Sequence, residues 1–295
     1  MARLSARLAG NAPGSYFVDD SCIDCAMCRR LAPETFTRDD SVGLSVVLRQ
    51  PESELDKLRA AMALVSCPTS SIGSDDKKDA RRAALALPEP LEGDVYFCGY
   101  ASEKSYGAAS YLLRRSAGNV LVDSPRAASP LMDRIEELGG VRFMFLTHKD
   151  DVADHRKYAA RFGCERIIHA ADAGPLLPTG IERLIEGRED VRLDDDLLLI
   201  PLPGHTRGSM ALLFQEKFLF AGDHVWGTKS GSLGASQSVA WYSWAEQARS
   251  MERLLDYRFE WVLPGHGMPF HARSTGAMRD ALSALVTRMQ HPRCA

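Results

Sequence analysis

Thr147-His148-Lys149-Asp150-Asp151-Val152-Ala153-Asp154-His155 follows directly on the apolar run Phe143-Met144-Phe145-Leu146. The apolar run has the length and composition of a buried strand. The residues after it crowd histidines and carboxylates onto one loop. Three further apolar segments end in the same manner: Leu199-Ile200-Pro201-Leu202-Pro203-Gly204-His205, Phe218-Leu219-Phe220-Ala221-Gly222-Asp223 and Trp261-Val262-Leu263-Pro264-Gly265-His266. Each sets a ligand-type side chain just past a strand, and a preceding glycine lets the backbone turn sharply there. Groups remote in sequence can then meet at one edge of a sheet, which is what a hydrolytic or redox metal site requires. A histidine standing alone after a strand is more often a satisfied polar group than a ligand; the fourfold recurrence shifts that balance.

Around these four segments, short apolar runs alternate with helical stretches. Val95 to Cys98, Val120 to Val122, Arg166 to Ile168, Leu197 to Ile200 and Met210 to Phe214 read as strands, and so do the stretches quoted above. Pro130 to Leu138, Ala153 to Phe162, Trp244 to Leu255 and Ala277 to Met289 read as helices, so the class is α/β. From about Ile72 to Glu92 the sequence turns polar and then proline-bearing, which predicts a boundary: a first domain over 1–73, a linker over 74–91 and a second domain over 92–295.

The first domain carries Cys22-Ile23-Asp24-Cys25-Ala26-Met27-Cys28, three thiols on one short loop at a spacing that wraps three corners of a cubane cluster. Upstream of Cys67-Pro68, Leu55, Leu58, Met62 and Val65 recur at helical spacing over Glu52 to Ser66, so one helix delivers Cys67 as the remote fourth ligand. A zinc site would more often pair two Cys-x-x-Cys units, and only one near-pair with one distant cysteine occurs here. This region resembles the single-cluster ferredoxins over about residues 15 to 73, with Pro33, Phe36 and Cys67-Pro68-Thr69 in keeping, and the resemblance implies one [4Fe–4S] cluster on Cys22, Cys25, Cys28 and Cys67. Cys98, Cys164 and Cys294 stand alone and read as packed or incidental thiols.

The chain of 295 residues is 45% hydrophobic and 25% charged, ordinary globular composition. A net charge of −3 and a pI near 6.3 give no basic footprint for a nucleic-acid backbone. Met1 to Gly10 has no continuous apolar core and no later run spans a bilayer, so neither a leader nor a membrane is expected. The odd count of seven cysteines, clustered for metal rather than disulfides, fits a reducing cytoplasmic location.

From about Gly93 to Phe270 the sequence resembles the metallo-β-lactamase superfamily, on Gly204-His205-Thr206, Gly222-Asp223 and Pro264-Gly265-His266. The resemblance implies an αββα sandwich preceded by a small α+β ferredoxin-like domain. The family's His-x-His-x-Asp-His loop appears here altered: Asp150 or Asp151 stands where the second histidine would, and two extra residues precede Asp154-His155. Carried over by position, the resemblance implies one metal on His148, His205 and Asp150 and a second on Asp154, His155 and His266. Asp223 bridges, Asp223 and Asp154 are the catalytic candidates, and Asp123 supports the ligand loop. A carboxylate in place of imidazole hardens the site toward iron or manganese rather than zinc, and the flavodiiron branch also uses a carboxylate there.

His169, His224, His271 and His291 lack such context and read as structural or surface groups, and Arg207 and Lys149 as solvated charges. The run from Trp226 to Trp244 combines small residues with aromatics and either roofs a pocket or packs a loop. The leading functional expectation is a metal-dependent hydrolase of an ester, thioester or lactone, a small-molecule substrate, with two divalent ions. The alternative is a di-iron or mononuclear-iron oxidoreductase fed by the cluster, which implies a redox partner; a flavin module or dinucleotide fingerprint is not evident. A non-enzymatic electron carrier and a nuclease rank below both, the latter because of the acidic charge.

Overall fold

The computed structural model describes residues 1–75, 78–174 and 180–290, so His291 and Cys294 lie outside the described residues. The chain packs into two compact units, one of Met1–Phe143 with Val152–Cys164, the other of Met144–Asp151 with the residues from Glu165 on.

In the first unit the cysteine loop is framed by small elements. Strand Phe17–Val18 pairs antiparallel with Ile72–Gly73, and Phe36–Asp39 with Leu44–Val47, Phe36 opposite Val47. Helix Glu54–Ser66 starts on a capping box in which Ser53 accepts from the Asp56 N–H and Asp56 reaches back to the Ser53 N–H. The helix matches its expectation, but its buried face is Ala60, Ala61, Met62, Ala63 and Ser66, while Leu55 is 63% exposed. Strands Glu89–Glu92, Val95–Phe97, Tyr111–Leu113 and Val120–Val122 follow as an antiparallel meander. Helix Ser129–Glu137 takes Pro130 in its first turn, where no N–H is needed, and helix His155–Phe162 closes on Gly163.

In the second unit, Glu165–His169 pairs in parallel with Arg183–Ile185. A six-stranded sheet runs in the order Val191–Asp194, Leu197–Pro201, Met210–Phe214, Phe218–Gly222, Trp261–Pro264 and Phe270–His271. Its pairs are antiparallel except Phe218–Gly222 with Trp261–Pro264, which is parallel. Ile200, Leu219, Val262, Met251 and Leu282 are among the side chains that close one core between this sheet and helices Trp244–Arg253 and Thr275–Gln290. Burial rather than length explains which strands the sequence reveals: Val120–Val122 and Phe218–Gly222 are buried throughout and read as apolar runs, whereas Arg183–Ile185, Val191–Asp194 and Phe270–His271 are mixed in burial and carry no such pattern. No helix among the described residues is long and apolar enough to cross a membrane.

Candidate metal centre

His148, Asp150, Asp151, His205, Asp223 and His266 all belong to the second unit and sit just beyond strand ends. Two groups of potential ligands form, His148 with His205 and Asp223, and Asp151 with Asp223 and His266, each with donor atoms within 4.8 Å of one another. Asp223 is common to both. In the first group the imidazoles of His148 and His205 meet edge to face at 4.7 Å. Each Nε2 lies 3.8 Å from Asp223 Oδ2, and Asp150 Oδ2 lies 3.9 Å from His148 Nε2 and 3.8 Å from His205 Nε2. These separations are too long for hydrogen bonds. They are within the span of two atoms sharing one ion through bonds of about 2.0–2.2 Å.

Both Nε2 atoms are buried and have no hydrogen-bond partner among the described residues. Their opposite nitrogens are engaged: His205 Nδ1 lies 2.6 Å from the Val239 carbonyl, which can only accept, so Nδ1 carries the proton and Nε2 the lone pair. His148 Nδ1 pairs with Thr147 Oγ1 at 2.9 Å. Orphaned buried nitrogens aimed at carboxylates are what a metal-binding donor set looks like without its ion, and the residues present fit a metal pair.

In the second group, the backbone N–H of His266 donates to Asp223 Oδ1 at 3.0 Å, and His266 Nδ1 lies 2.8 Å from Asp223 Oδ2. Asp151 is almost fully buried. Gly265 explains how these groups approach: a Cβ there would stand 2.6 Å from Asp151 Oδ2 and 2.9 Å from Asp223 Oδ1. Gly222, with φ +49°, makes the turn that lifts Asp223 out of its strand, in a left-handed conformation that favours glycine.

Burial pulls the His148 pKa down to about 4, against the pull of Asp223, so the ring is neutral at neutral pH. Burial would raise the Asp223 carboxyl, but His266 first, then His148 and His205, outweigh it and hold Asp223 below the usual carboxylate range. The facing His205 ring does the same for Asp150, whose side chain is 46% exposed.

The cysteines form a separate recess in the first unit. Cys22, Cys25, Cys28 and Cys67 line it together with Met27 and Ile72. Asp24 and Ala26, at φ 56° and 65°, bend the chain around it, and Asp24 is held by Arg29 at 2.7 Å and Arg38 at 2.9 Å. Cys67 caps the C-terminus of helix Glu54–Ser66. Burial, with the neighbouring thiols adding, pushes Cys25 up to about 12, and burial pushes Cys28 to about 12. Four sulfurs converging in a mostly apolar pocket fit a cubane cluster.

A model of the metallo-beta-lactamase superfamily matches residues 92–283. The chain belongs to the metallo-β-lactamase superfamily. A model of the 4Fe-4S single cluster domain of ferredoxin I matches residues 18–74, so a ferredoxin-type domain precedes the superfamily domain. The Beta-lactamase-like protein 2 homolog of Drosophila melanogaster is 25% identical over 188 residues, 58% of this chain and 62% of that protein. The chain therefore spans less than two thirds of that relative. A metallo-beta-lactamase from Hirschia baltica (TM-score 0.53, 16% identity) covers 68% of this chain over 95% of its own. The metallo-beta-lactamase FIM-1 from Pseudomonas aeruginosa, in its mono-zinc form, scores 0.53 at 16% identity over 69% and 95%. At such identity these two share the fold, mixed α/β as expected.

Within the superfamily domain, Asp154 and His155 stand in neither ligand group. Asp154 belongs to the first unit, where its carboxylate meets Lys104 at 3.0 Å and Lys157 at 3.4 Å and accepts from the Ala127 N–H at 3.0 Å. Burial raises the Asp154 pKa, but that N–H and the two lysines lower it further. His155 begins the following helix. Asp123 is buried at the end of strand Val120–Val122 in a left-handed conformation, φ 55°.

The motif leaves Asp150 and Asp151 as alternatives for the place of the second histidine; Asp150 faces His148 and His205, while Asp151 groups with Asp223 and His266, a placement that the tandem acidic pair does not signal. His169 caps helix Ala170–Ala173, His271 stacks on Trp261 at 4.1 Å, and Arg207 is exposed. Of the aromatic run, Trp244 packs against the core, while Trp241 is 66% exposed with its ring 6.2 Å from that of His205.

Proposed function

We propose that the superfamily domain is a metal-dependent hydrolase of an ester, thioester or lactone, and that the cluster domain stabilises or regulates it. The observation that carries this reading is Asp223, one carboxylate 3.8 Å from two orphaned imidazole nitrogens and in direct contact with His266. Divalent ions bound there would supply Lewis acidity and activate water near neutral pH. His148, His205, Asp150 and Asp223 would hold one ion, and Asp151, Asp223 and His266 the other. The residues' own part is to present donor atoms without rearrangement, since the Val239 carbonyl sets the tautomer that leaves the His205 Nε2 lone pair free and the facing imidazoles hold the Asp223 carboxyl below the usual carboxylate range. Trp241, exposed beside His205, offers an apolar face to a small-molecule acyl group.

A second reading, an iron oxidoreductase supplied with electrons by the cluster and an external redox partner, is favoured by Asp150, which makes the donor set rich in carboxylate and suited to iron or manganese. Purification without oxygen followed by assay of iron, zinc, manganese and sulfide, and of ester and thioester turnover against reduction of oxygen or nitric oxide, separates them. The hydrolase reading expects turnover that is independent of the reduction state of the cluster. Turnover that requires a reduced cluster, or two irons beyond the cluster with no hydrolysis, overturns it. On the same reading, His205→Ala, Asp223→Ala and His266→Ala each lose metal, while Asp150→Ala loses part.

A further inference from the structure

One buried carboxylate ties together the two loops that carry His148 and His205. Asp172, in the short helix Ala170–Ala173, is 4% exposed. Its Oδ2 accepts from the backbone N–H of Lys149 at 3.1 Å and from the Thr206 hydroxyl, and its Oδ1 accepts from the backbone N–H of Gly208 at 2.8 Å. Lys149 lies between His148 and Asp150, and Thr206 directly follows His205. Thr206 is further locked to Ser209, its N–H donating to Ser209 Oγ at 2.9 Å.

We infer that Asp172 is a positioning residue, a clasp that fixes the separation and orientation of His148, Asp150 and His205; this rests on the metal-centre reading above. Three donors from two loops converge on one side chain, and an ionised carboxylate is the acceptor-only group with two oxygens to meet them. Charge-assisted bonds of this kind are about twice as strong as neutral ones. The two loops are also joined by the Met210 N–H, which donates to the Thr147 carbonyl at 2.8 Å on the strand side of the ligands; Asp172 adds the second tie, on the far side of His148 and His205, and so fixes the angle between the loops as well as their distance. Asparagine is nearly the same size but turns an NH2 toward a donor, leaving at least one buried N–H or O–H opposed rather than accepted.

The test titrates cobalt into full-length protein that keeps its iron–sulfur cluster but has been stripped of other metal, against a chromophoric chelator, with the visible cobalt spectrum, read as the difference from the cluster's own absorbance, and amide hydrogen exchange at Lys149 and Gly208 recorded alongside. Groups behind metal ligands affect affinity by about 10–100-fold. The expectation is that Asp172→Asn weakens the tighter cobalt site by that factor, changes its spectrum and deprotects both amides, while the cobalt-free protein still melts cooperatively. Thr206→Val removes one of the three donors, leaves the carboxylate in place, and is expected to give a smaller loss in the same direction. A folded Asp172→Asn with wild-type affinity and spectrum overturns the clasp. If Asp172→Asn does not fold, Thr206→Val decides: wild-type cobalt affinity and spectrum in that variant overturn the clasp. His205→Ala, run in parallel, separates the two claims. Undiminished cobalt binding there overturns the metal-centre reading and the clasp with it, whereas weakened binding in His205→Ala alongside undiminished binding in Asp172→Asn overturns the clasp alone.

Discussion

Replacing Gly265 with alanine tests the centre with one carbon atom. Its backbone is not left-handed, so alanine costs nothing in φ and ψ, and the effect comes from the methyl group alone. That carbon would stand 2.6 Å from Asp151 Oδ2 and 2.9 Å from Asp223 Oδ1. To restore ordinary carbon to oxygen contacts of about 3.3 Å, Asp151 must retreat by about 0.7 Å and Asp223 by about 0.4 Å. Metal sites tolerate deviations of about 0.2 Å in ligand distance, so both carboxylates leave that range. A loss of about 10–100-fold in affinity follows, about 1.4–2.8 kcal/mol. The assay is metal content by elemental analysis and affinity by chelator competition, with thermal unfolding of the metal-free form as the control for folding. Gly265→Ala that retains wild-type metal content and affinity refutes the reasoning, because Asp151 and Asp223 would then not be the groups that hold the ions.

Cys67→Ser should abolish the cubane, read as loss of brown absorbance and of stoichiometric sulfide; full retention would remove Cys67 from the ligand set. Gly107 has φ +86°, and a Cβ there would stand 2.4 Å from Cys25 Cβ and 2.8 Å from its Sγ. Gly107→Ala should therefore destabilise the fold by about 1–3 kcal/mol and speed cluster loss to a chelator, and unchanged kinetics would contradict the close packing. His224 is buried with neither ring nitrogen hydrogen-bonded among the described residues, and burial, with the nearby His205 ring adding, lowers its pKa from 6.5 to about 3. Folding disfavours its proton, so its contribution is complete above pH 6.5 and is lost as pH falls toward 3. The slope is at most about 1.4 kcal/mol per pH unit for one proton. In metal-free protein, His224→Leu should flatten denaturant stability between pH 6.5 and 4, and an unchanged pH slope would show that folding does not disfavour the proton on this ring.

The superfamily was legible because its signal is local. A glycine followed by histidine or aspartate after a strand, three times over, can be seen without knowing where the strands go, and Cys22, Cys25 and Cys28 declare a cluster by spacing alone. Helices Glu54–Ser66, Trp244–Arg253 and Thr275–Gln290 were equally plain, the first from apolar residues recurring at helical spacing. Strand pairs such as Phe17–Val18 with Ile72–Gly73 were not, because a two-residue strand is defined by its partner rather than by its own side chains.

The sequence by itself determined which residue types would be delivered to strand ends, and that four cysteines would share one recess with a helix behind the last of them. Only the tertiary structure decided that Asp151 joins Asp223 and His266, that Asp154 instead meets Lys104 and Lys157, and that Asp172 ties two ligand loops together. The physical reason is that a strand's periodicity fixes the direction of its side chains, whereas in an irregular loop each φ and ψ is free. Neighbouring aspartates there point where the packing of distant segments, and not their own spacing, directs them.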